Sequence, residues 1–117
     1  MNFEALAIDF GMEEDELLEL VKLFIKTSLS DLDRIQSAID EGDAQKVAMA
    51  AHSIKGAASN LGLTEIFEMA KTMDLNARGN NLDGALGAAE AIKEKLDGLT
   101  EGLSRSNVTG DTEPKSY

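Results

Sequence analysis

The sequence predicts an all-α protein, an antiparallel four-helix bundle with a short N-terminal helix capping it. Three observations carry this. Apolar residues recur every three to four positions along four long stretches. The single proline, Pro114, lies near the C-terminus, so no proline breaks a helix before it. Asp, Glu, Leu and Ala dominate while Val, Ile and Thr are sparse, and no strand is predicted. The chain has 117 residues, 43% of them hydrophobic, which fits one domain with one modest core. Its aromatic residues are only Phe3, Phe10, Phe24, Phe67 and Tyr117, so the core must be largely aliphatic, as helix-on-helix packing allows.

Phe3 to Phe10 is predicted to form the short capping helix, broken by Gly11. The acidic run Glu13-Glu14-Asp15-Glu16 suits the positive end of a helix dipole and opens a helix to Asp40. Leu17, Val21, Phe24, Ile25, Leu32, Ile35 and Ile39 form its apolar face. Gly42 suits a C-terminal cap and Asp43 an N-terminal cap. The next helix, Asp43 to Leu61, carries Val47, Ala50, Ala51, Ile54, Ala58 and Leu61 as its stripe, and Gly62 stops it. Thr64 is a candidate N-cap for a fourth helix with Ile66, Ala70, Met73 and Ala77 on one side, closed by a turn at Arg78-Gly79-Asn80-Asn81. A fifth helix is predicted from Leu82 to Leu103, with a stripe of Leu82, Leu86, Ala89, Ile92, Leu96, Leu99 and Leu103 despite Gly84, Gly87, Gly98 and Gly102. The domain is therefore expected to span residues 1–103. Residues 104–117 are polar and aperiodic and are expected to form a disordered tail.

A net charge of -11 argues against nucleic-acid binding, which needs cations to displace counterions, and against anionic membranes. The absence of cysteine removes disulfides, thiol nucleophiles and thiolate metal sites. No apolar run approaches the roughly 18 residues of a membrane span, and the N-terminus does not read as a signal peptide. A cytoplasmic location is expected.

His52 is the only histidine. Counting about 100° per residue, it falls roughly 160° from the centre of its helix's apolar stripe and faces water. Ala48, Gly56 and Ser59 share its face, and Lys55 lies three residues on. A neutral imidazole nitrogen is a nucleophile near pH 7. A phosphoryl group on it would bring about two negative charges, which Lys55 can offset. Gly56 and Ala48 would leave room for another protein's active site, and clearance would explain a glycine that a helix otherwise disfavours. Charge agrees. Between Glu13 and Glu41 nine acids against three bases leave six negative charges, whereas Lys46 and Lys55 against Asp43 leave His52's own helix one positive charge.

The segment Ala51-His52-Ser53-Ile54-Lys55-Gly56-Ala57-Ala58-Ser59-Asn60-Leu61-Gly62 resembles the signature of histidine-containing phosphotransfer (HPt) domains: His, any residue, an aliphatic, Lys, Gly, two small residues, two variable positions, an aliphatic and Gly. Every specified position is filled. The resemblance extends to Leu23-Phe24, to the Gly42-Asp43 turn, and over about residues 10–100 in helix order and length. It implies a phosphocarrier of two-component phosphorelays, without kinase or nucleotide-binding machinery and with no cofactor of its own. The expected partners are receiver domains of response regulators or hybrid histidine kinases, and a monomer is expected. By the resemblance, His52 takes the phosphoryl group on Nε2, Lys55 stabilises it and Gly56 gives clearance. The position that would hold Nδ1–H is Asp74, where the family more often has Glu or Gln. The alternative for Asp74 is a solvated surface acid.

Docking is expected to use Met49, Ser59, Leu20 and Leu23, apolar or small residues read as exposed; the plainer reading is that single exposed apolar residues are ordinary. Two other functions compete. One is a non-signalling acidic helical adaptor in which His52 is incidental. The other is a metal site built from His52 and acids such as Asp74, for which one histidine is a poor anchor.

Overall fold

The computed structural model describes the backbone of residues 3–115 and the side chains of residues 3–104. Five helices follow one another: α1 (Phe3–Phe10), α2 (Glu14–Glu41), α3 (Ala44–Asn60), α4 (Thr64–Arg78) and α5 (Ala85–Lys115). There is no strand among the described residues. α2 packs on α3 and α5, α4 packs on the same two, and α1 lies against α2. Four long helices thus close a ring around one core, as the periodicity predicts.

One device ends each of α1 to α4. A residue at positive φ follows the helix, at Gly11, Gly42, Gly62 and Asn80. The amide after each donates back five residues: Met12 to Ala7, Asp43 to Ala38, Leu63 to Ala58 and Asn81 to Asn76, at 2.8–3.0 Å. This is the Schellman arrangement, which satisfies carbonyls that the helix end leaves free. In the fourth turn the left-handed residue is Asn80, not Gly79, since an asparagine tolerates that region better than other side chains do. Starts are capped as well. Glu16 Oε1 accepts the Glu13 amide at 3.0 Å, and Asp43 Oδ1 accepts the Lys46 amide at 3.1 Å. Thr64 is not a cap: it is the first residue of α4, and the buried Leu63 stands in the N-cap position.

The predicted stripes form the core, with three exceptions. Ile39 and Leu82 are only half-buried, and Leu86 is exposed while Ala85 and Ala89 are buried. The shift in α5 has a local cause. Gly84 has φ +79, which no α-helix admits, so the helix begins at Ala85 rather than Leu82. Near the other end a Cβ on Gly102 would lie 3.3 Å from Cε2 of Phe3, so this glycine seats the aromatic ring that anchors α1. The backbone of α5 runs to Lys115, beyond the expected end at Leu103. The expected tail, residues 104–117, falls almost entirely outside the residues whose side chains are described. No described helix is long and apolar enough to cross a membrane.

Candidate functional site

α3 is flanked by α2 on one side and α4 on the other, so its buried arc is wider than the apolar stripe alone suggests. Ala44 and Ala48 are buried with the stripe. Ala48 therefore packs between helices and does not lie open on the face of His52, contrary to the sequence expectation. Gly56 is exposed, its φ is not positive, and a Cβ there would meet nothing within 4 Å. Neither backbone strain nor packing requires a glycine at this position.

His52 projects from the α3 edge that faces α4, with its side chain 57% exposed. Its Nδ1 lies 3.2 Å from Oδ2 of Asp74 on α4. Asp74 is no surface acid. Only 1% of it is exposed, yet it carries a full set of partners. Arg78 Nε donates to Oδ1 at 2.7 Å, and Lys55 Nζ stands 3.4 Å from Oδ2. Burial alone would push the Asp74 carboxyl up. Hydrogen bonds from Arg78, His52 and Lys55, with the charge of Arg78, outweigh that and hold it below the usual aspartate value. Asp74 is therefore ionised at neutral pH and can only accept.

The tautomer follows. An acceptor carboxylate at Nδ1 places the ring proton on Nδ1 and leaves the lone pair of a neutral ring on Nε2, at the exposed end. Arg78 Nη2 lies 3.5 Å from Nδ1, too far and between two donors to count as a bond. A short carboxylate suffices because α3 and α4 pack closely at this level and Asp74 points straight into the seam. Arg78 escaped the sequence reading, which placed it in a turn. It is the last residue of α4, and its spacing of four from Asp74 was the available signal.

The other predicted residues disperse. Met49 is 66% exposed, one turn before His52, and Ser59 is exposed two turns after it. Leu20 and Leu23 are exposed on α2 but distant. Arg34 and Ser53 line one groove, which sets the level of His52 against α2. Leu23 and Leu20 then lie roughly 16 and 21 Å farther along the helix. The structure does not bring them together with Met49. Among the described residues, no three His, Asp or Glu side chains converge as a metal site would need. Asp74, the acid that reading would use, is already held by two cations.

A family model described as Hpt domain matches residues 19–102. The chain belongs to the Hpt domain family. A solved structure agrees: histidine-containing phosphotransfer protein B (HptB) from Pseudomonas aeruginosa PAO1, with 28% identity, a TM-score of 0.77, and coverage of 86% of this chain and 88% of that one. No curated protein matches. As an Hpt domain the chain has a histidine phosphotransfer role in a phosphorelay, as a phosphocarrier rather than a kinase, and the family's partners are receiver domains.

The buried carboxylate gives this Hpt domain a measurable pH signature. The folded-state value of Asp74 is lowered, so the unfolded chain binds its proton more readily. The stabilisation is then complete above the unfolded value of about 3.9 and is lost as pH falls through the folded value below it. Asp74→Asn should lower stability by about 1–3 kcal/mol at pH 7. The gap in melting temperature between parent and variant should narrow as pH drops below about 4. A gap that stays constant down to pH 2.5 would show that Asp74 is not held ionised by its partners.

Proposed function

We propose that this protein takes a phosphoryl group on His52 Nε2 from the phospho-aspartate of a receiver domain or from a histidine kinase, and passes it to an aspartate of a response regulator. The observation that carries the proposal is the Nδ1 contact with buried Asp74. It directs the lone pair outward and supports the charge that reaction creates. As Nε2 attacks phosphorus, the N–P bond forms and the P–O bond to the donor aspartate breaks, leaving a free carboxylate on the donor. The ring keeps its Nδ1 proton and becomes positively charged. Asp74 lies against that proton and stabilises the cation. Return transfer reverses each step and needs no proton from solvent.

Lys55 and Arg78 complete the balance. With Asp74 they sum to one positive charge beside the imidazole, before any phosphate arrives. Phosphoryl transfer gains mainly from positioning and from charge stabilisation of this kind. A purely structural adaptor gives no reason for burying an aspartate beneath a lone exposed histidine, where a hydrophobic residue would pack at lower cost.

The test is incubation with a phosphorylated receiver domain and magnesium, followed by chemical typing of the phosphate on this chain. The expected product is stable in base, labile in acid, and located on His52 by fragmentation. An acid-stable phosphate, or one located on Ser53 or Ser59, would overturn the proposal.

A further inference from the structure

A second buried carboxylate lies on the far side of α3. Asp31 on α2 is only 4% exposed. Its Oδ1 accepts from Arg34 Nη1 at 2.8 Å, and Oδ2 has no partner among the described residues. No fully enclosed side-chain polar atom among them lacks a partner, so Oδ2 must open to a surface. Asp31 lines a groove of about 680 Å³ between α2 and α3. The wall on the α3 side includes Met49 and Ser53, the latter adjacent in sequence to His52. The groove thus borders the exposed face of α3 that carries His52, one residue from it in sequence at Ser53 and one turn from it at Met49.

Its chemistry is selective. Arg34 is tied to Asp31, and Lys46 stands 3.5 Å from Glu41 and 3.9 Å from Asp43, so both cations at the rim are engaged within the chain. Glu41 is taken up by Lys46, which leaves Asp33 and the free oxygen of Asp31 as the unpaired negative charge of the groove among the described residues. A buried carboxylate with an unfilled acceptor costs stability unless something donates to it. The exposed Met49 at the entrance offers an adaptable apolar contact.

We propose that this groove is the specificity pocket for the receiver domain, and that it takes a lysine or arginine of the receiver whose charged end reaches Asp31 Oδ2 while its aliphatic stem lies on Met49. The idea rests on the phosphotransfer reading and adds to it the kind of receiver the protein selects: one with a cationic residue on the face that docks beside its phospho-aspartate. Asp31 is then a specificity residue that sets affinity, not the chemical step.

The experiment uses the full chain and the receiver domain from the same organism that drains phosphate fastest from it. Asp31→Asn keeps the shape and the Arg34 contact while removing charge. Met49→Arg, at an exposed position, supplies a guanidinium from within the chain to occupy the groove. Both variants should raise the KM for the receiver about tenfold, the loss of one charge-assisted contact, with the single-turnover rate at saturating receiver within about twofold of the parent. Unchanged KM in Met49→Arg, which has no reason to misfold, would overturn the proposal. So would a lower saturating rate at constant KM, or an Asp31-dependent dimer in sedimentation, which would put a second copy of the chain in the groove. Phosphorylation of the parent by phosphoramidate, without any receiver, separates the two ideas. If the parent takes no phosphate on His52, the phosphotransfer reading fails; if it does and the variants match it in KM, only the groove assignment fails.

Discussion

His52→Gln is expected to abolish phosphoryl acceptance while leaving the helix content and melting transition of the parent. The loss is complete because no second imidazole exists in the chain. Glutamine cannot form the phosphoramidate, since its amide nitrogen has no basic lone pair. The fold should survive for two reasons. The imidazole is more than half exposed, so little apolar surface is lost. Asp74 also keeps Arg78 and Lys55 as partners, and the new amide can donate to it in place of Nδ1. Phosphate labelling of both proteins by one phosphorylated receiver, with circular dichroism on the same samples, decides the matter. Acid-labile phosphate on the variant would place the acceptor elsewhere. A variant that loses both phosphate and fold would make His52 structural.

The fold was legible because its signals are local. Gly11, Gly42 and Gly62 punctuate amphipathic stretches, and those glycines take the left-handed conformation that ends a helix. The errors also came from local geometry. Gly84 reads as a mid-helix glycine until its positive φ is known, and the start of α5 moves with it. Asn80 rather than Gly79 takes the left-handed position because which residue follows the last turn depends on where α4 stops. At the candidate site, what could be read was the placement of neighbours on one helix: His52 and Gly56 are exposed on α3, as its periodicity predicts. Asp74 entered through a family resemblance, and its burial could not be read from a stretch that looks like an ordinary polar face. Arg78 and Asp31 were missed because the burial of the carboxylate in each pair, Asp74 and Asp31, is set at a helix–helix seam, whereas the ion pairs themselves, Arg78–Asp74 and Arg34–Asp31, are ordinary spacings within one helix. The wide buried arc of α3 is the clearest case. A stripe counted on one helix has one centre, but a helix flanked on two sides buries two, which is how Ala48 ends up inside.

The contrast between Lys55 and Gly56 separates charge from steric access, and Gly56→Gln should give the larger defect. Lys55 Nζ lies 3.4 Å from Asp74, so Lys55→Ala removes a partly screened charge near the phosphate. Such a charge contributes about 1 kcal/mol, or roughly a tenfold change in transfer. Gly56 is a different matter. No backbone strain or neighbour requires a glycine there, and a helix interior prefers almost any other residue. Glutamine should therefore stabilise the isolated protein by about 0.5 kcal/mol. The same side chain stands one turn from His52, on the face across which a receiver must bring its aspartate to bonding distance of Nε2. Displacing the reacting atoms by about 1 Å is enough for a roughly 100-fold loss. The expected result is a melting temperature at or above the parent's, with transfer slowed by about two orders of magnitude and phosphorylation by phosphoramidate reduced far less, because a small donor needs less space. Equal defects with large and small donors would mean that glutamine disturbs the imidazole itself. A more stable protein with undiminished transfer to the receiver would show that the glycine provides no clearance, and that the partner approaches His52 from the α4 side.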